Sequence, residues 1–298
     1  MIEARKSNQS HQGTLRGDCL APESLQEWGE LLSSAPRLAL EETEASLLVH
    51  GDHRAAPSQD QLEELRLQKR REVQSRCAKR YVLGLRASTG YRILKVFEPR
   101  SPGNHLAGLL GRSTSKTEHQ NQLRCEALGL AACKSLGYIE LRRGPLLLRA
   151  GQVQEPVDIS RHPLLEDFFA QQWEQFSLDA VPPLARAIAD MHNKGFFHND
   201  LKPFHAYVQR GASPTNAPAA YKLLWIDLAG AGFRLTERQR VINLYQVLRY
   251  VLVHNDEAHE PFIRSYCEYA QWHAPTPENA LHKVTRFLNH KLRTHPCP

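Results

Sequence analysis

Two aspartates constrain this 298-residue chain more tightly than any other feature. Asp200 lies in the run His198-Asn199-Asp200-Leu201-Lys202-Pro203-Phe204-His205. Asp227 closes the apolar run Leu223-Leu224-Trp225-Ile226 and opens Leu228-Ala229-Gly230. Residues 182–194 ahead of the first acid read as a helix. Proline starts it, Leu184, Ile188 and Met191 share one face, and Gly195 stands just past its end. Residues 206–209 and 221–226 read as short strands joined by a polar loop. Both acids therefore sit at the ends of regular elements, where a scaffold can hold reactive groups.

Phosphoryl transfer suits such a set, because it asks for few groups held accurately. One carboxylate must orient and deprotonate the acceptor hydroxyl. A second, at a strand end, must bind a magnesium ion that bridges the phosphates. Another ligand must face that ion, and a lysine must balance the phosphate oxygens. Asp200, Asp227, His205 and Lys202 can fill these places in that order, and His198 reads as a brace for the loop.

Upstream, residues 81–86 and 91–97 read as a β-hairpin turning at Ala87-Ser88-Thr89-Gly90. Residues 99–111, rich in Gly and Pro, read as a loop, and residues 115–128 as a helix. Strands are expected at 137–141 and 145–149, giving a small, mostly antiparallel β-rich lobe. Beyond Leu164 helices dominate: 164–176, 182–194, one opened by a Thr236/Gln239 capping box, and others near 257–271 and 277–292. Residues 1–75 form an extension with short helical turns around Pro22–Leu32, a short strand at 47–50 and a charged helix over 59–76.

The segment 198–205 resembles the protein-kinase catalytic loop H-R-D-L-K-P-x-N, Asp227-Leu228-Ala229-Gly230 resembles D-F-G, and Ile93-Leu94-Lys95-Val96-Phe97 resembles the lysine strand V-A-I-K. The histidine at 205, in place of the usual asparagine, and the missing A-P-E segment make the chain similar to the lipopolysaccharide core kinases of Gram-negative bacteria. That family phosphorylates heptose or 3-deoxy-D-manno-octulosonic acid. The resemblance implies an α+β, bilobal protein-kinase-like fold, with a β-rich N-lobe over 76–152 and a helical C-lobe over 153–298. It implies ATP and Mg2+ as cofactors, Lys95 on the α- and β-phosphates, and an adenine-binding hinge near Arg149–Gln152. Glu118 or Glu126 would pair with Lys95; the neighbours Leu123, Ala127 and Leu130 suggest a buried face beside Glu126. Asn243 occupies the place of a helix aspartate that braces the catalytic loop in kinases, and no G-x-G-x-x-G loop is present. An atypical protein kinase, a small-molecule kinase and a nucleotide-binding pseudokinase are the alternatives.

Charge bears on the partner. Residues 1–64 hold 5 basic and 12 acidic side chains, so the rest of this +6 chain carries +13. A basic body suits an anionic acceptor such as inner-core glycolipid at the inner membrane, and no nucleic-acid module is recognised. Six scattered cysteines without a C-x-x-C pair argue against zinc and against a disulfide scaffold. No apolar run is long enough to span a bilayer and the N-terminus lacks an apolar signal core, so the expected location is cytoplasmic, with peripheral membrane contact.

Overall fold

The computed structural model describes residues 2–4, 14–18, 27–30, 32, 80–87, 90–99, 101–159, 161–172, 180–210, 221–252, 256–272 and 276–294. The expected strand at 47–50, the charged helix at 59–76, the turn residues Ser88 and Thr89, the loop 211–220 and the end of the helix 164–176 lie outside them. Contacts divide the chain into two units: Met1–Gln120 with Lys134–Pro156, and Asn121–Cys133 with Val157–Pro298.

The described residues of the first unit build an antiparallel sheet from β1 (Ile2–Ala4), β2 (Thr14–Asp18), β3 (Arg80–Ala87), β4 (Gly90–Phe97), β5 (Ser135–Arg143) and β6 (Leu146–Gln154). Its order is β1-β2-β5-β6-β4-β3. Alternation along β4 buries Leu94 and Val96 on one face and turns Lys95 to the other. Lys95 stands opposite Val82 on β3 and Gln152 on β6. Trp28 and Leu32, from the segment expected to be an extension, are buried in this unit. Close packing explains Gly151: a Cβ there would come within 2.9 Å of Leu94 Cδ1 and 3.2 Å of Leu32 Cδ1.

The expected loop at 99–111 is instead largely a helix, α1 (Pro102–Leu109). Its Ser101 cap accepts from Asn104 N–H at 3.2 Å, and proline opens the first turn. Glycine is needed within it, since a Cβ on Gly108 would lie 2.9 Å from Leu147 Cβ. The next helix, α2 (Thr114–Ala127), passes from one unit into the other along the sequence.

The second unit is mainly helical: α3 (Leu165–Gln172), α4 (Val181–Asn193), α5 (Glu237–Gln246), α6 (His259–Tyr269) and α7 (Pro277–Thr294), with a two-stranded ribbon β7 (Ala206–Arg210) and β8 (Tyr221–Trp225). Leu184, Ile188 and Met191 of α4 are fully buried, in one core with Phe262 and Ile263 of α6 and Trp225 of β8. The capping box that starts α5 is present: Thr236 Oγ1 accepts from Gln239 N–H, and Gln239 Oε1 accepts from Thr236 N–H at 2.8 Å. The helix then widens into a π turn over Val247–Val251, where Leu252 N–H reaches Val247 O at 3.0 Å. Among the described residues no helix is long and apolar enough to cross a membrane.

Candidate active site

Two backbone devices bring the aspartates together. Just past the end of helix α4, Gly195, with a φ of 72°, lets the chain turn back with its N–H on His192 O at 2.9 Å. Phe197 and Gly232 then exchange N–H···O bonds of 2.9 and 3.1 Å. The Phe197 ring covers Gly232 so closely that a Cβ would fall 2.3 Å from Phe197 Cε1. The loop that begins at His198 is thereby pinned beside the turn that follows Asp227.

Two histidines set the distance between the acids. Buried His198 donates from Nε2 to Ile226 O at 2.8 Å, and its Nδ1 accepts from Asp200 N–H at 3.3 Å. That pattern fixes the neutral Nε2–H tautomer, and burial pushes the imidazole pKa down to about 4. His198 thus braces both acids through backbone and does not itself reach the reacting region. His205 lies parallel to it, with ring centroids 5.7 Å apart. Its Nδ1 donates to Asp200 O at 2.7 Å, and its carbonyl accepts from Ile226 N–H at 3.1 Å. The Ile226 peptide is therefore held at both ends, immediately before Asp227.

With Nδ1 committed, His205 Nε2 faces Asp227 Oδ2, 3.6 Å away. An imidazole nitrogen and a carboxylate oxygen placed in this way could together hold a cation, and a protonated ring would pair with the carboxylate directly. Among the described residues no group of three or more His, Cys, Asp or Glu gathers for a metal. Magnesium is typically held by one or two carboxylates and completes its shell with phosphate oxygens and water, so such an ion would need few protein ligands beside Asp227. Asp200 extends its carboxylate toward solvent, 49% exposed, with Lys202 Nζ on its Oδ2 at 3.0 Å. Asp227 has φ 54° and ψ 54°, the one left-handed non-glycine among the described residues.

In the first unit, Lys95 Nζ bonds Glu118 Oε1, an ion pair with the glutamate fully buried. Glu126 is exposed and takes no part, and Leu123 beside it is also exposed. The buried face of α2 is polar: Ser115, Glu118, His119, Asn121 and Gln122, with Cys125. Part of this face is hydrogen-bonded, as with His119 Nδ1 and Ser135 Oγ at 2.7 Å and Asn121 Nδ2 to Leu228 O at 2.7 Å. An apolar-periodicity argument selects the wrong face for that reason. The expected hinge residues Arg149–Gln152 lie within β6, which runs on to Gln154, so the chain leaves the strand only at Glu155.

Three supporting residues had no sequence signal strong enough to single them out. Asn121 donates to Leu228 O at 2.7 Å and Ala231 O at 3.3 Å, holding the turn after Asp227. Gln246 bonds the catalytic loop, and its place one helical turn beyond Asn243 was the available clue. His192, on α4, touches Asn243. Asn243 itself bonds the His198 backbone on both sides, donating to O at 2.6 Å and accepting from N–H at 3.2 Å. The amide braces the loop that an aspartate braces in other kinases.

A solved structure, WaaP in complex with acyl carrier protein, has 18% sequence identity to this chain and a TM-score of 0.51. The match covers 72% of this chain and 84% of that one, and shows the protein-kinase-like, α+β fold expected from the motifs. No curated protein sequence gives a significant match. The sequence profile of the lipopolysaccharide kinase (Kdo/WaaP) family matches residues 103–275, more than half of the chain and including both aspartates, and the chain is therefore a member of that kinase family.

Proposed function

We propose that this kinase transfers the γ-phosphoryl group of ATP to a heptose hydroxyl of the lipopolysaccharide inner core. The observation that carries the reading is the arrangement of the two acids about His205. Its Nδ1 is spent on the Asp200 backbone, and its Nε2 faces Asp227. Asp200 is then the base that accepts the proton of the sugar hydroxyl. Lys202, on the same carboxylate, offsets charge on the phosphoryl group in flight. Asp227 and His205 would hold Mg2+, which supplies charge neutralisation across the β- and γ-phosphates. We assign Lys95, held by Glu118, to the α- and β-phosphates.

Peripheral contact with the inner membrane fits the acceptor. Leu106 and Leu109 on α1, with Leu110 just past its end, are 49–68% exposed. No acidic residue occurs between Glu98 and Glu118, whereas Arg100, Arg112 and Lys116 do. Apolar side chains flanked by basic ones favour an anionic lipid surface.

The test is transfer from labelled ATP, with magnesium, to phosphate-free deep-rough lipopolysaccharide, compared with generic protein acceptors. Label on the glycolipid, lost on adding a chelator, is expected. Label on protein alone would overturn the sugar-kinase reading.

A further inference from the structure

The catalytic loop hangs from two amide side chains one turn apart on α5. Asn243 holds the N–H and C=O of His198. Gln246 Oε1 accepts from Leu201 N–H at 3.3 Å, and its Nε2 donates to Asn199 O at 3.2 Å. Gln246 therefore holds one backbone group on each side of Asp200. Asn243 Nδ2 also donates to Gln246 Oε1 at 2.9 Å, so each amide fixes the rotamer of the other. Both are buried, in the same stretch of helix that opens into the π turn at Val247.

The direction of every bond in this network can be assigned. Arg240 Nη1 donates to Tyr266 Oη. The tyrosine proton is then directed to His192 Nδ1, 2.7 Å away, and His192 Nε2–H to Asn243 Oδ1 at 3.2 Å. Asn243 thus accepts twice through Oδ1 and donates twice through Nδ2, which a carboxylate cannot do. The network ends on Gln246, whose remaining donor and acceptor go to the loop. Such a chain of buried, matched bonds holds a single geometry, because any rotation strands a polar group.

We propose that Gln246 is a positioning residue for phosphoryl transfer: by gripping Asn199 O and Leu201 N–H it aims the Asp200 carboxylate at the acceptor hydroxyl. The proposal rests on the reading of Asp200 as the base. It assigns Gln246 no contact with substrate, so its effect belongs in the chemical step and not in nucleotide affinity.

The test uses the full chain with magnesium, ATP and phosphate-free deep-rough lipopolysaccharide. Gln246→Met keeps the length of the side chain and removes both bonds to the loop. Its kcat is expected to fall about 10- to 100-fold, as for a small misplacement of a catalytic group. Its KM for ATP should stay within about 2-fold of wild type, a split that marks an interaction made in the transition state. Gln246→Glu keeps the acceptor for Leu201 N–H and should recover part of kcat. Ile263→Val, a core change on α6, lowers the melting temperature without touching the loop and should keep the wild-type kcat.

A wild-type kcat for Gln246→Met, or a loss no larger than its loss of folded protein, would overturn the proposal. If Gln246→Met does not fold, Gln246→Glu decides: a reduced kcat at unchanged KM supports positioning, and wild-type turnover ends it. Asp200→Ala is measured alongside. If that variant still turns over, the assignment of the base fails first. If it is dead while Gln246→Met is normal, only the role of Gln246 falls.

Discussion

Asp227 combines two demands in one residue, the carboxylate we assign to a cation and a backbone in the left-handed region. Aspartate and asparagine tolerate that region better than alanine does, because their short polar side chains bond locally. The two demands can be separated by substitution. Asp227→Asn should keep the turn and lose the charge, so magnesium-dependent nucleotide binding disappears with little change in melting temperature. Asp227→Ala should lose the same binding and also about 1 kcal/mol of stability from the strained backbone. Nucleotide titration with and without magnesium, beside thermal unfolding, reads both effects. Binding retained by the Asn variant would remove Asp227 from the metal site. Asp200→Ala is expected to differ from both, because the proposed function assigns it to the acceptor: turnover is lost while nucleotide still binds.

At the scale of elements, α2 shows where sequence reasoning failed and why. Strands β3 and β4 were legible because β-branched and aromatic residues alternate with the pleat, and α4 because its apolar residues recur at helical spacing. The grouping at 198–205 was legible because His198, Asp200, Lys202 and His205 are close in sequence, and the other three all contact Asp200 in the structure. Helix α2 buries polar side chains, so hydrophobic periodicity carries no signal for its inner face. Helix α1 was hidden by its Gly and Pro content, although Ser101 and Pro102 are in the right places to start a helix. The two glutamates of α2 should behave accordingly. Glu118→Ala removes a buried charged partner of Lys95, which is only 12% exposed, and should cost about 3 kcal/mol. Glu126→Ala, at an exposed position, should stay within about 0.5 kcal/mol of wild type. Urea denaturation of the two variants decides this, and equal midpoints would contradict it.

Over the whole molecule, charge and burial make two demands on conditions. The +13 carried beyond residue 64 predicts association with vesicles containing anionic lipid, weakening as salt rises, and no association with purely zwitterionic vesicles. Sedimentation with the two vesicle types measures it, and equal binding to both would remove the electrostatic account. Acid should destabilise the fold through His192. Burial pushes its pKa from 6.5 down to about 3, and the facing Arg240 guanidinium acts in the same direction. Tyr266 presents its phenol, which burial holds in the protonated form above its ordinary range, and Asn243 presents an amide oxygen. Above pH 6.5 the imidazole is neutral folded and unfolded, so it imposes no cost. Below that value the unfolded chain takes up a proton that the native chain refuses, and stability falls by up to about 1.4 kcal/mol per pH unit. The loss continues until the pH nears the folded value, where the native imidazole also protonates. His192→Gln can still accept from Tyr266 and donate to Asn243 but cannot titrate. Its urea midpoint should therefore decline less than that of wild type between pH 6.5 and 5, a window above most carboxylate titration. Parallel declines in the two proteins would mean that the acid sensitivity arises elsewhere.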